Sequence, residues 1–249
     1  MNEIAGYKII EEIFSSHETV VFRGQSSDSG KVILKTITEK FLNNESLASF
    51  NSEYSINSIF DSPLIVKAIE LVNHNNLPVI VLSDIGAQSL KKFLDDKPGY
   101  FLKNFEEGIQ LAISIIKGIA EIHDRNVIHK DINPSNIVYN SDTKEINIID
   151  FGLSSELTFE NFDLSNINQL EGSLAYISPE QTGRINRNID YRTDYYSYGI
   201  TLYEIFLGQL PFNASGAREW VHCQIAREAI PMHMINKIVP KTLSLIVEN

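Results

Sequence analysis

The 249-residue chain contains one cysteine, Cys223, one tryptophan and three methionines. A single thiol can build neither a disulfide framework nor a cysteine-based zinc site, so Cys223 reads as a small apolar filler. No apolar run approaches the roughly 20 residues a membrane-spanning helix needs. The opening "MNEIAGYKII" lacks the basic flank, long apolar centre and small-residue cleavage site of a secretory signal. A cytoplasmic protein without a membrane segment is expected. Positive charge is scarce too: 21 basic residues face 32 acidic ones, a net charge of -11. That field argues against a nucleic-acid partner, whose phosphates it would repel, but it does not exclude a nucleotide held by a few placed cations and Mg²⁺. The most local shortage is of glycine. "EEIFSSHETVVFRG", residues 11 to 24, has none before its last position.

A hydrophobic fraction of 43% is ample for a buried core. The first third alternates as strands do: "YKIIEEIF", "TVVFRGQ" and "KVILKTI" predict three strands, with "SSDSG" a polar turn between the second and third. From Ser46 to Phe60 the spacing becomes helical, and "LIVKAIELV" and "LPVIVLS" then predict two more strands joined by "NHNN". Five strands and a helix make a small α+β lobe ending near Ser83. Beyond "DIGAQSL", apolar residues recur at helical spacing from Phe105 to His123, and "DYYSYGITLYEIFLG" predicts a second helix closed by Gly208. The second part is therefore mainly helical.

Three short motifs stand in order there: "HKDINPSN" (His129 to Asn136), "DFG" (Asp150 to Gly152) and "SPE" (Ser178 to Glu180). Each alone is weak. Their order and context carry the weight, because Asp131 and Asn136 follow the long helix and Asp150 ends the apolar run "INIID". Two carboxylates and an amide beside turns are what phosphoryl transfer from a nucleotide requires: a base for a hydroxyl proton, and oxygen ligands for Mg²⁺.

On these residues the chain resembles the eukaryotic-type protein kinase family from about Tyr7 to its end. The resemblance implies a bilobal α+β fold, with a small β-rich N-lobe over about residues 1–83, a hinge at 83–88 and a mainly helical C-lobe over 89–249 that is incomplete at its C-terminus. It implies ATP and Mg as cofactors and a protein substrate modified on Ser or Thr. Asp131 takes the place of the catalytic base, and Asn136 and Asp150 the places of the magnesium ligands. "VILK" makes Lys35 the lysine on the α- and β-phosphates. Glu53, 18 positions later, is its expected ion-pair partner, against the plainer reading of a solvated helix face. Leu82 would close the back of the adenine pocket, Ser83 to Ile85 would offer backbone hydrogen bonds, Ile33 would line the pocket more tightly than the usual alanine, and Val21 and Val138 would sandwich the base. Asp194 matches an aspartate that braces the catalytic loop through backbone N–H groups, unless it is a plain helix cap.

Departures bear on activity. The family's G-x-G-x-x-G-x-V loop reads Phe14, Ser16, Thr19 and Val21 here, so phosphate contact should be altered, with the hydroxyls of Ser15, Ser16 and Thr19 compensating in part unless they only form a polar hairpin tip. Lys130 replaces an arginine, and Asn133 a lysine that would stabilise charge on the transferring group. Ser154, Ser155 and Ser173 are candidate phosphorylation sites or simply loop residues, and residues 153–179 would gate peptide access. "HKDINPSN", the absent glycines and "GSLAYISPEQTGRINRNIDYRTDYYSYG" together resemble the kinase domain at the head of large bacterial, especially cyanobacterial, multidomain signalling proteins, which implies further signalling domains after residue 249. Glu180 would ordinarily pair with an arginine in a final helix that this sequence lacks. Two alternatives stand: a pseudokinase that binds nucleotide and scaffolds with little transfer activity, and a small-molecule phosphotransferase, which shares an H-x-D-x-x-x-x-N loop but not "SPE" or "DYYSYG".

Overall fold

The computed structural model describes residues 3–26, 30–156 and 173–248. In chain order the first elements are β1 (Glu3–Ile4), β2 (Tyr7–Ser15), β3 (Thr19–Ser26), β4 (Gly30–Ile37), α1 (Asn44–Ser58), β5 (Ala68–His74), β6 (Leu77–Ser83) and β7 (Gln88–Ser89). Then come α2 (Leu90–Asp96), α3 (Tyr100–Lys103), α4 (Phe105–Asp124), β8 (Val127–Ile128), β9 (Ile137–Tyr139), β10 (Ile146–Ile148) and β11 (Ser155–Glu156). The chain closes with α5 (Arg192–Leu207), α6 (Ala217–Ala226), α7 (Met232–Ile235) and α8 (Lys241–Glu248). It divides into two compact units, Met1–Gln88 with Tyr139–Leu153, and Ser89–Val138 with Ser154–Asn249. Residues 139–153, assigned by the sequence to the helical part, thus group with the sheet.

In the first unit, six antiparallel strands pair in the order β1-β2-β3-β4-β6-β5. Alternation along a strand sends successive side chains to opposite faces. Val32 and Leu34 of β4 therefore join Val79 and Val81 of β6, Ile4 and Tyr7 in one buried cluster. Ile37, Ile80 and Leu82 join Phe50 of α1 in another, against which Ile33 packs. Lys35 belongs by alternation to that second, helix-covered face.

Two boundaries differ from the sequence reading for local reasons. α1 starts at Asn44 because Asn43 caps it: the Ser46 N–H donates to Asn43 Oδ1 at 2.9 Å, and Ser46 Oγ accepts from the Asn43 N–H at 3.0 Å. The run "LIVKAIELV" is divided. Only Ala68 onward joins the large sheet, while Ile65 forms a parallel bridge to Ile148, with Ile148 N–H donating to Leu64 O at 2.8 Å and Val66 N–H to Ile148 O at 3.0 Å. The "SSDSG" turn falls largely outside the described residues.

The second unit is built around α4 and α5. Leu111, Ile115, Ile119 and Ile122 supply the buried stripe of α4, and Ile200, Leu202, Ile205 and Phe206 are buried on α5. The two helices come close at Gly108, where an added Cβ would lie 2.8 Å from the Phe206 ring and 3.1 Å from Phe101 Cβ. Gly208, at φ 68°, ends α5 in the left-handed conformation that glycine tolerates.

Candidate active site

In the first unit, α1 lies over the face of β4 that carries Lys35, and the spacing of 18 residues brings Glu53 against it. Lys35 Nζ donates to Glu53 Oε1 at 2.6 Å and to Asp150 Oδ1 at 2.9 Å. Burial opposes the ammonium charge, but the carboxylates of Asp150 and Glu53 outweigh it and hold the Lys35 pKa above its ordinary value. Burial likewise lifts the Glu53 carboxyl, with Lys35 pulling the other way. Asp150 is less enclosed, its side chain 44% exposed.

The Asp150 backbone is left-handed, φ 67°, a strained state for a non-glycine residue. Contacts of the following two residues add to the Lys35 bond in holding it there. Gly152 N–H donates to Asp150 Oδ1 at 3.2 Å, and the buried Phe151 ring stacks on Phe60 at a centroid separation of 5.3 Å. A Cβ at Gly152 would sit 3.2 Å from Asp150 Oδ1 and 3.7 Å from Glu53 Oε2, so a glycine there keeps the carboxylates uncrowded.

The glycine-free loop is a closed hairpin tip joining β2 and β3. Ser16 N–H donates to Thr19 O at 2.9 Å, while Ser16 Oγ accepts from Glu18 N–H at 3.2 Å and Thr19 N–H at 3.0 Å. The tip is fastened to the residue after β4, with Thr38 N–H donating to Glu18 O at 2.8 Å and Thr38 Oγ1 to His17 O at 2.7 Å. The Ser16 hydroxyl therefore makes the turn itself, and the polar-tip reading describes it.

Val21, Ile33 and Leu82, expected around adenine, lie on the same sheet face as Lys35. Val21 is directly opposite Lys35, and Ile33 directly opposite Leu82. The segment after β6 is largely committed. Ser83 N–H donates to Lys67 O at 2.9 Å, and Ile85 O accepts from Asn140 Nδ2 at 2.7 Å. The Ser83 N–H is therefore taken within the first unit. The Ile85 N–H has no partner among the described residues.

In the second unit, the loop after β8 carries Asp131. Asn136 Nδ2 donates to Asp131 Oδ2 at 2.6 Å, and Asn133 Nδ2 donates to Asp131 Oδ1 at 2.8 Å. Asn133 Oδ1 in turn accepts from Ser135 N–H at 2.8 Å, capping the short 3₁₀ turn Pro134–Asn136. The residue that replaces a lysine thus holds one carboxylate oxygen of Asp131 and shapes the turn that delivers Asn136, which holds the other. Val138, in β9 just beyond, is half-buried.

Asp194, fully buried in the first turn of α5, braces this loop. Its carboxylate accepts from His129 N–H at 2.9 Å, Lys130 N–H at 2.7 Å and His123 Nε2 at 2.8 Å. It does not act as the N-cap, a position held by Tyr191. Lys130 is left-handed, φ 67°, and its peptide is also held at the carbonyl, which accepts from Gln181 Nε2 at 2.8 Å.

Gln181 was invisible to motif reasoning, since it follows "SPE" with no chemistry of its own. It belongs to a buried polar chain: Gln181 Oε1 accepts from Ser178 N–H at 3.0 Å, Ser178 Oγ meets Thr193 Oγ1 at 3.0 Å, and Thr193 Oγ1 donates to Glu180 Oε1 at 3.0 Å. Glu180, expected to want an arginine, is thus met by Thr193. Ser154 Oγ donates to His129 O at 3.2 Å, whereas residues 157–172 of the expected gating segment, including Gly172, lie outside the described residues.

Among the described residues no group of three or more His, Cys, Asp or Glu side chains could hold a metal ion. Mg²⁺ needs no such cage, because it takes one or two protein oxygens and completes its shell with water and substrate phosphates. The half-exposed Asp150 carboxylate and the Asn136 amide oxygen are of the kind that fits.

A probable serine/threonine-protein kinase of Clostridium perfringens is 26% identical over 96% of this chain, which covers 34% of that protein. A second, from Clostridium acetobutylicum, is 30% identical over 97% of this chain and 36% of its own length. The serine/threonine-protein kinase PrkC of Bacillus subtilis is 26% identical over 87% and 32%. The chain spans about a third of the length of these relatives. Residues 7–246 match the protein kinase domain family, and the chain belongs to that family.

Proposed function

We propose that this chain transfers the γ-phosphoryl group of ATP to serine or threonine hydroxyls of protein substrates in bacterial signal transduction. The observation that carries this reading is the Lys35 ammonium held between Glu53 and the half-exposed Asp150. A buried cation fixed by two carboxylates is a preorganised phosphate grip, while Asp150 keeps exposed surface for a second task. Asp131 is the base that accepts the substrate hydroxyl proton, its carboxylate oriented by Asn133 and Asn136. Asn136 and Asp150 supply the oxygens that would hold Mg²⁺, which when bound neutralises charge on the transferring group. Val21, Ile33, Leu82 and Val138 would enclose adenine, with the Ile85 N–H as its backbone donor.

The names of the relatives support Ser/Thr specificity, and the resemblance of "HKDINPSN" and "GSLAYISPEQTGRINRNIDYRTDYYSYG" to cyanobacterial-type proteins supports a place at the head of a multidomain signalling protein. The site of action is the cytoplasm, where ATP is held. No helix among the described residues is long and apolar enough to cross a membrane.

The self-satisfied hairpin tip favours the second reading, a pseudokinase, because it offers few N–H groups to phosphate. One experiment separates the two. The protein is incubated with labelled ATP, Mg²⁺ and a generic protein substrate beside Asp131→Asn and Asp150→Ala controls. Transfer that both substitutions abolish is expected; nucleotide-dependent thermal stabilisation with no transfer even at high enzyme concentration hands the case to the pseudokinase.

A further inference from the structure

Arg23 stands in a row that crosses the sheet on the face expected to meet the base. Glu11 is directly opposite Arg23, Arg23 opposite Ile33, and Ile33 opposite Leu82. Directly opposed residues share a face, so Arg23 is the polar neighbour of the two apolar residues read as adenine-lining, and Val21 is two positions away on the same side. Its guanidinium reaches three ways. Nε donates to Asp84 Oδ2 at 2.7 Å, one terminal nitrogen donates to Glu11 Oε1 and the other to Ala87 O at 2.9 Å. The Asp84 side chain is 3% exposed, and its second oxygen accepts from Gly86 N–H at 2.8 Å.

One side chain thus fastens β2 and β3, the two strands of the lid, to the segment that carries the Ile85 N–H. A guanidinium does this with a rigid planar fork that lysine cannot reproduce. The hairpin tip is also tied down, at Thr38, and its Ser16, Glu18 and Thr19 N–H groups are turned on itself. A lid without glycines, closed at its tip, must hold a nucleotide from its base.

We propose that Arg23 is a positioning residue for nucleotide binding: it fixes the height of Val21 over the base and the placement of the Ile85 N–H by clamping the lid strands to residues 84–87. This rests on the nucleotide-binding reading above.

The test is calorimetric titration of the full chain with adenosine, and with ATP plus Mg²⁺, for wild type, Arg23→Gln and Arg23→Lys. Arg23→Gln should weaken both ligands alike, by about 10-fold, the scale of hydrogen bonds to charged groups. Arg23→Lys, able to reach Asp84 but not all three partners, should fall between. A merely structural role would lower the melting temperature and leave the affinity of the folded protein unchanged. Adenosine affinity within twofold of wild type in Arg23→Gln, or a loss confined to ATP, overturns the proposal. If Arg23→Gln does not fold, Arg23→Lys decides alone, and wild-type adenosine binding in it is equally fatal. Wild-type protein that binds nucleotide without transferring phosphate defeats only the kinase reading, whereas wild-type protein that binds neither ligand defeats both.

Discussion

Lys35, Glu53 and Asp150 come from three places in the chain, and their roles depend on one another. The Lys35–Glu53 pair was legible from an 18-residue spacing, because strand alternation puts Lys35 under α1 and helix geometry then selects which α1 residue reaches it. That Asp150 also bonds Lys35 was not legible, since it requires a left-handed backbone that no spacing rule encodes. Removing the cation leaves two carboxylates facing one another, one of them buried, and breaking a buried pair from one side is commonly worth about 3–5 kcal/mol. Lys35→Met should therefore lower the urea midpoint clearly. Lys35→Met combined with Glu53→Gln should recover part of that loss, because it removes the stranded charge, while both proteins remain inactive. A double variant less stable than Lys35→Met alone would show that Glu53 is supported by something other than Lys35.

At the level of elements, the five longer strands, α1, α4 and α5 followed from periodicity, and their ends did not. The start of α1 is set by Asn43 and Ser46, whose reciprocal bonds carry no apolar signal, and "LIVKAIELV" reads as one strand although its halves pair with different partners. The lid hairpin is the clearest case of a missing motif hiding an intact element: β2 and β3 pair as a glycine-rich lid would, with Ser16 making the turn. Its hydroxyl also occupies the Glu18 and Thr19 N–H groups. Ser16→Gly with Thr19→Gly should release them toward phosphate and tighten ATP several-fold, leaving adenosine binding unchanged. Each glycine should destabilise the hairpin by roughly 0.5–1 kcal/mol. Unchanged ATP affinity, measured by the same calorimetry, would mean that the tip does not approach the phosphates at all.

For the whole molecule, composition gives the net charge but says nothing of where charge is held. The pairs that matter to the candidate site, Lys35 with Glu53 and Asp194 with the Lys130 and His129 N–H groups, are enclosed and so are weakly screened by salt. Others are open: Lys67 and Asp61, 62% and 90% exposed, form a pair of the kind worth at most about 1 kcal/mol. Against these small gains stands the self-repulsion of 32 acidic residues over 21 basic ones. Salt should therefore relieve more than it removes. Raising sodium chloride from about 20 to 300 mM, which shortens the screening length to under about 10 Å, is expected to raise the melting temperature by a few degrees. A fall over that range would place the balance the other way, with exposed ion pairs outweighing the net charge of -11.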